Sequence, residues 1–243
     1  MRAACIMAMW LLVGCGASIG GDDDPDGDEG GLADAAAQIP DGAPPADAAR
    51  EVQTTVFAVP DVVDTFVRLS DPTFNYGGSP RMCADTTTDD RRILMRMDVS
   101  SLPAGAEIAS ATLRIWTGAL TNDLSVQTYS VYQVLEEWNE GALNAAAGTA
   151  SWNERKAGVA WTVAGAGSGS RDDVVLGSFV PTAIDTEFDV ELDPALVAGW
   201  VDDPASNFGL TIVGAGSDGA CFATTEAPEV GTHPILSVNW IAP

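Results

Sequence analysis

The 243-residue chain carries 35 Asp and Glu against 11 Lys and Arg, a formal charge of −24, with a single histidine. Such an excess argues against nucleic acid as a partner, because affinity there comes from neutralising phosphates; a neutral sugar, a divalent cation or a basic surface is easier to accommodate. The first fifty residues lack the composition of folded protein, which leaves about 190 residues for one all-β unit.

Residues 1–15, MRAACIMAMWLLVGC, hold one positive charge at Arg2, an apolar run from Ala3 to Val13 and small residues before Cys15. The run is far short of the ~20 apolar residues of a spanning helix, so it reads as a secretory signal. Leu12-Val13-Gly14-Cys15 resembles the bacterial lipobox. That resemblance implies cleavage before Cys15 and acylation of the new N-terminus, and the alternative is an ordinary signal with an incidental cysteine. Each buried CH₂ of an acyl chain adds ~0.8 kcal/mol, so several chains would anchor the protein stably. Gly16 and Ala17 follow, with no aspartate at the second position. In a Gram-negative cell this favours the outer membrane or cell surface.

Residues 16–51 are rich in Asp, Gly, Ala and Pro, with no aromatic residue. Such a stretch cannot bury enough surface to offset its chain entropy and is expected to be a disordered tether. Six acids fall between Asp22 and Glu29, but the ordered spacing and closing glutamate of an EF-hand are missing. Ten of the 35 acids lie in residues 22–51, leaving 25 against nine Lys and Arg in residues 52–243. The folded part therefore stays acidic.

From residue 52 onward strand signals dominate. Runs at Thr65–Leu69, Ile93–Val99 and Ile108–Trp116 are separated by Asn75-Tyr76-Gly77-Gly78-Ser79-Pro80 and Leu102-Pro103-Ala104-Gly105-Ala106, a strand and turn grammar. Ala109, Ala111, Leu113 and Ile115 share one face while Ser110, Thr112, Arg114 and Trp116 share the other, the period of a half-buried strand. Leu124–Val134 reads as a further strand by its Val, Thr and Tyr content. Residues 142–150 and 157–173 read as Gly- and Ala-rich loops. Phe188, Val190 and Leu192 alternate with acids, which predicts a strand with one wet face. Pro194–Val201 is the helical candidate, with Asp193 as N-cap and Pro194 at the first position. Gly209–Val213, Cys221–Thr224 and Ile235–Trp240 complete nine or ten strands. Together they predict an all-β jelly-roll sandwich with one short helix.

Cysteine usage fits an exported protein. Cys5 leaves with the signal and Cys15 takes lipid, so Cys83 and Cys221 remain as one disulfide, the alternative being two buried thiols.

Across residues 60–240, Asp64-Thr65-Phe66-Val67, Asn75-Tyr76-Gly77-Gly78-Ser79, Trp138-Asn139-Glu140-Gly141, Ser151-Trp152-Asn153, Asn207-Phe208-Gly209 and His233-Pro234-Ile235-Leu236 follow one another in order. This pattern resembles the DNRLRE domain, also treated as carbohydrate-binding module family 96 and related to disaggregatase repeats. The resemblance implies a jelly-roll module of secreted or surface proteins, often attached to polysaccharide-degrading enzymes, with some members binding acidic polysaccharide such as alginate.

Exposed aromatic faces stack sugar rings. That nominates Trp116, Tyr129 and Trp161, while Trp138 and Trp152 belong to the family's own spacing and read as core or loop anchors. Arg92, Arg96 and Arg114 on neighbouring strands are candidates for pairing an acidic glycan, against the plainer reading of cross-strand ion pairs. Jelly rolls often hold a structural calcium ion, and Asp61, Asp64, Asp71 and Asn75 supply oxygen ligands near the first turn; the same residues also serve as turn formers. His233 has no evident catalytic partner, and no G-x-S-x-G, HExxH or phosphate loop occurs. The expected function is non-catalytic polysaccharide binding by a lipid-anchored module, with a cell-envelope protein-interaction module as the alternative and a lyase or glycoside hydrolase as a weaker one.

Overall fold

The structure, a computed structural model, describes residues 50–86, 88–216 and 218–243. The signal segment, Cys15 and nearly all of the acidic tether lie outside the described residues. In chain order the elements are β1 (Val52–Phe57), β2 (Val62–Arg68), β3 (Phe74–Asn75), β4 (Arg81–Ala84), β5 (Arg91–Met97), β6 (Glu107–Trp116), β7 (Tyr129–Gln133), β8 (Ala146–Ala147), β9 (Glu154–Lys156), β10 (Val159–Ala160), β11 (Gly177–Phe179), β12 (Glu187–Leu192), α1 (Pro194–Asp202), β13 (Leu210–Gly214), β14 (Ala220–Ala223) and β15 (Ile235–Ile241).

Two antiparallel sheets carry the fold, one in the order β1-β15-β6-β12 and the other β11-β7-β13-β5-β2. The reason is legible in β6, where Ala111, Leu113 and Ile115 are fully buried while the residues between them stay partly exposed. Their neighbours Val190, Leu192, Leu236 and Val238 join them from the first sheet, and Phe66, Ile93, Met95, Val131 and Ile212 come from the second. One shared apolar cluster therefore lies between the sheets, which is the all-β sandwich expected. Ten of the described strands have four residues or more. The others are two- or three-residue pairs, too short to leave a period in the sequence.

The helix forms where its caps place it. The Asp193 carboxylate accepts a hydrogen bond from the Ala195 N–H at 2.9 Å, Pro194 fills the first turn, and α1 ends at Asp202. Val197, Trp200 and Val201 turn into the core. β4 pairs with β14 so that Cys83 stands opposite Cys221, and the two form the expected disulfide across a sequence separation of 138.

Two departures have clear causes. The strand read from Leu124 begins only at Tyr129, because residues 121–123 form a 3-10 turn whose buried Asp123 carboxylate receives Arg81. The stretch 135–170, read mostly as loop, builds a second apolar cluster. Trp138, Ala150, Trp152, Trp161 and Ala166 pack with Val67 of β2 and Leu94 of β5. These two strand residues alternate with the inward-facing Phe66, Ile93 and Met95, so the loop covers the outer face of the second sheet.

Candidate functional site

The covering loop decides the fate of several sequence candidates. Trp161 is 5% exposed, and its indole N–H donates to the Ser151 carbonyl at 3.0 Å. Tyr129 is wholly buried in the core, its ring stacked against Phe179. Neither has a free face for a sugar, so both are corrected from stacking platforms to packing residues. Trp138 and Trp152 are buried too, the Trp138 indole N–H donating to the Phe208 carbonyl at 2.8 Å.

Trp116 remains accessible. As the last residue of β6 it is half-buried, on the face opposite the buried Ala111, Leu113 and Ile115. Its indole N–H donates to Asp185 at 3.2 Å. The ring lines an open cleft of about 150 Å³ with Pro80, Ala119, Pro228, Glu229 and Thr232. An apolar ring with carboxylate and hydroxyl acceptors around it is the chemistry that a pyranose requires: C–H groups against the π face, hydroxyls to the rim.

The three arginines divide. Arg114 grips Asp189 through two hydrogen bonds of 2.8 and 3.0 Å on the open face of the first sheet. Arg92 is paired with Asp90 at 2.6 Å, donates to the Gly165 carbonyl and lies over the Trp152 ring. Both are committed to cross-strand or loop partners, the plainer of the two readings. Arg96 differs: among the described residues it has no carboxylate within ion-pair distance, and its guanidinium lies 5.7 Å from the Trp138 ring centre. It borders an open cleft of about 350 Å³ with Asp98, Ser100, Pro204 and Asn207.

The expected calcium ligands do not come together. Asp71 accepts the Tyr76 hydroxyl at 2.8 Å and pairs with Arg68 at 3.0 Å. Asn75 is wholly spent as a clasp. Its amide N–H groups donate to the Glu140 and Ala150 carbonyls, and its Oδ1 accepts from the Gly77 and Leu143 N–H groups. Asp61 is exposed in the turn before β2. Of the four, only Asp64 belongs to an acidic cluster, and its companions are Glu140 and Glu226. The four-residue set is corrected accordingly: nearness in sequence put together residues that the turn uses for its own hydrogen bonds.

The new trio is assembled from three parts of the chain. β2 is an edge strand, which leaves the Asp64 N–H free to donate to Glu140 Oε1 at 2.7 Å. Glu140 is held in place because Asn75 grips its carbonyl and because Gly141, at φ +77°, turns the chain where a Cβ would meet the Thr149 carbonyl at 2.2 Å. Asp64 Oδ2 accepts the Thr225 N–H at 2.9 Å, which brings Glu226 alongside. Asp64 Oδ1 is buried and has no hydrogen-bond partner among the described residues. Burial pushes the Asp64 carboxyl up to about 8, the repulsion of Glu226 and Glu140 adding to it against the Thr225 hydrogen bond. Burial likewise raises Glu140 to about 7, and Glu226 is raised for the same reason. Sequence spacing could not have found this cluster, since its members are 76 and 86 positions apart; the only trace was the Trp138-Asn139-Glu140-Gly141 motif.

His233 is held by a 2.8 Å contact of Nε2 with the Ala227 carbonyl. Residues 55–170 match the family model described as carbohydrate-binding module family 96. No curated protein matches the chain. The matched segment contains Asp64, Arg96, Trp116 and Glu140, while β11 to β15, which complete both sheets, lie beyond it. Residues 55–170 are thus similar to carbohydrate-binding module family 96, the family the sequence resembles.

Proposed function

We propose that this protein is a non-catalytic, surface-anchored module that binds polysaccharide at the Trp116 cleft. The observation that carries the reading is the contrast among the aromatic candidates: Tyr129 and Trp161 are buried, while Trp116 is only half-buried and lines a cleft with Asp185, Glu229 and Thr232. The acidity of the folded part favours a neutral glycan there, since an acidic chain would meet like charge. Acylation at Cys15 and the acidic tether would hold the module away from the membrane surface. Asp64, the most buried carboxyl of the trio, is out of reach of a glycosidic bond, which supports the non-catalytic reading.

A second reading rests on Arg96. Its guanidinium, 5.7 Å from the Trp138 ring centre and without a carboxylate at ion-pair distance among the described residues, borders a polar cleft and suits a uronate carboxylate. Affinity electrophoresis of the full chain through gels containing neutral glucans, xylan or mannan, and separately alginate or pectate, distinguishes the two. Retardation by a neutral gel that W116A weakens at least tenfold supports the first, a step of about 1.4 kcal/mol. Retardation by the acidic gels alone, abolished in R96A, replaces it with the second. Free migration in every gel removes both and leaves a protein-interaction module.

A further inference from the structure

We infer that Asp64, Glu140 and Glu226 form a calcium site. One carboxylate oxygen from each lies within 4.8 Å of the others. An ion that bonds oxygen at about 2.3–2.6 Å can join ligand atoms as much as about 5 Å apart, so all three carboxylates are within its reach, and an all-oxygen carboxylate set is the chemistry calcium takes. Three acids pressed together and partly buried repel one another and lose hydration, and nothing in their own hydrogen bonding offsets this fully. The decisive feature is Asp64 Oδ1. It is unpartnered among the described residues on a side chain that is wholly buried, and it belongs to the most buried carboxyl of the cluster. A buried carboxyl oxygen without a partner is what a hard cation satisfies.

The remaining oxygens are positioned for the role. Asp64 Oδ2 is steadied by the Thr225 N–H, and Glu140 Oε1 by the Asp64 N–H, so each carboxylate is oriented by one backbone donor and has its second oxygen to offer. Glu226 is exposed and its carboxylate accepts the Thr225 hydroxyl at 3.1 Å. Burial falls from Asp64 through Glu140 to Glu226, which gives the ion an entry path and leaves its outer positions to water. Arg96 beside Glu140 and His233 beside Glu226 act at the rim of the cluster, and neither reaches Asp64. With Ca²⁺ in place the ion ties β2, the loop at 140 and the segment after β14 at one point.

Isothermal titration of the chelator-stripped full chain with calcium chloride tests this, alongside thermal unfolding. One saturable site is expected, with Tm raised by about 5–10 °C when calcium exceeds Kd a hundredfold. Glu226→Gln, at an exposed position where the fold tolerates change, weakens calcium binding at least tenfold, and Asp64→Asn removes it. Absence of a saturable heat overturns the assignment. So does an undiminished affinity in Glu226→Gln, which would move the ion to the acids of residues 22–29. Neither outcome touches the glycan reading, which rests on the Trp116 cleft and is measured separately by gel retardation.

Discussion

Asn75→Ala removes the one side chain that ties β3 to residues 140–150, and its cost follows from its contacts. Asn75 is fully buried. Its amide donates to the Glu140 carbonyl at 2.6 Å and the Ala150 carbonyl at 3.1 Å, and its carbonyl accepts from Leu143 N–H at 2.9 Å and Gly77 N–H at 3.3 Å. Four hydrogen bonds at a net ~1 kcal/mol each set an upper figure of about 4 kcal/mol. Water can reach part of the Glu140 and Leu143 backbone once the clasp is gone, so about 2–3 kcal/mol is expected. Asn75→Asp should cost a similar amount, because a carboxylate cannot donate to the two carbonyls. Urea unfolding followed by tryptophan fluorescence reads this as a lower midpoint at unchanged slope. A shift below about 0.5 kcal/mol, the range of an ordinary surface change, would show that the loop is held by its tryptophans alone.

Three further outcomes are expected at other positions. Replacing Cys83 and Cys221 together by alanine should lower stability by as much as about 5 kcal/mol, the chain-entropy figure for a loop closed across a separation of 138, in a urea titration; an unchanged midpoint would contradict it. Burial alone would push Asp89 up, but hydrogen bonds from Arg68 and Arg91 outweigh it and hold the carboxyl well below its ordinary range. Its contribution is complete above about pH 5 and is lost as pH falls through the depressed folded value, so the stability gap between wild type and Asp89→Asn should close on acidification, and a constant gap would refute the pairing. In a bacterial host, Cys15→Ala should abolish incorporation of labelled fatty acid and release the protein from the membrane fraction, whereas unaltered fractionation would dismiss the lipid anchor.

The sandwich was legible because β6 and β12 alternate apolar and polar residues with little interruption, and the helix because Asp193-Pro194 carries its own start signal. The second cluster was not, since Trp138, Trp152 and Trp161 sit in Gly- and Ala-rich sequence without period and are buried by tertiary contact with Val67 and Leu94. The same blindness hid the acidic trio. Asp61, Asp71 and Asn75 are near Asp64 in the chain, but turns consume short polar side chains locally, while Glu140 and Glu226 arrive through the pairing of distant strands. Trp116 was readable from its face of β6; that Arg92 and Arg114 are occupied depended on the partners across from them.

The central claim is that a polysaccharide lies on the Trp116 ring. Indole N–H resonances of the ¹⁵N-labelled chain, followed during titration with an oligosaccharide of the glycan retained in the gels, test it residue by residue. The account predicts that the Trp116 signal moves to saturation while those of Trp138, Trp152 and Trp161 hold still. Movement confined to the buried tryptophans, or none at all under conditions of proven binding, would contradict it.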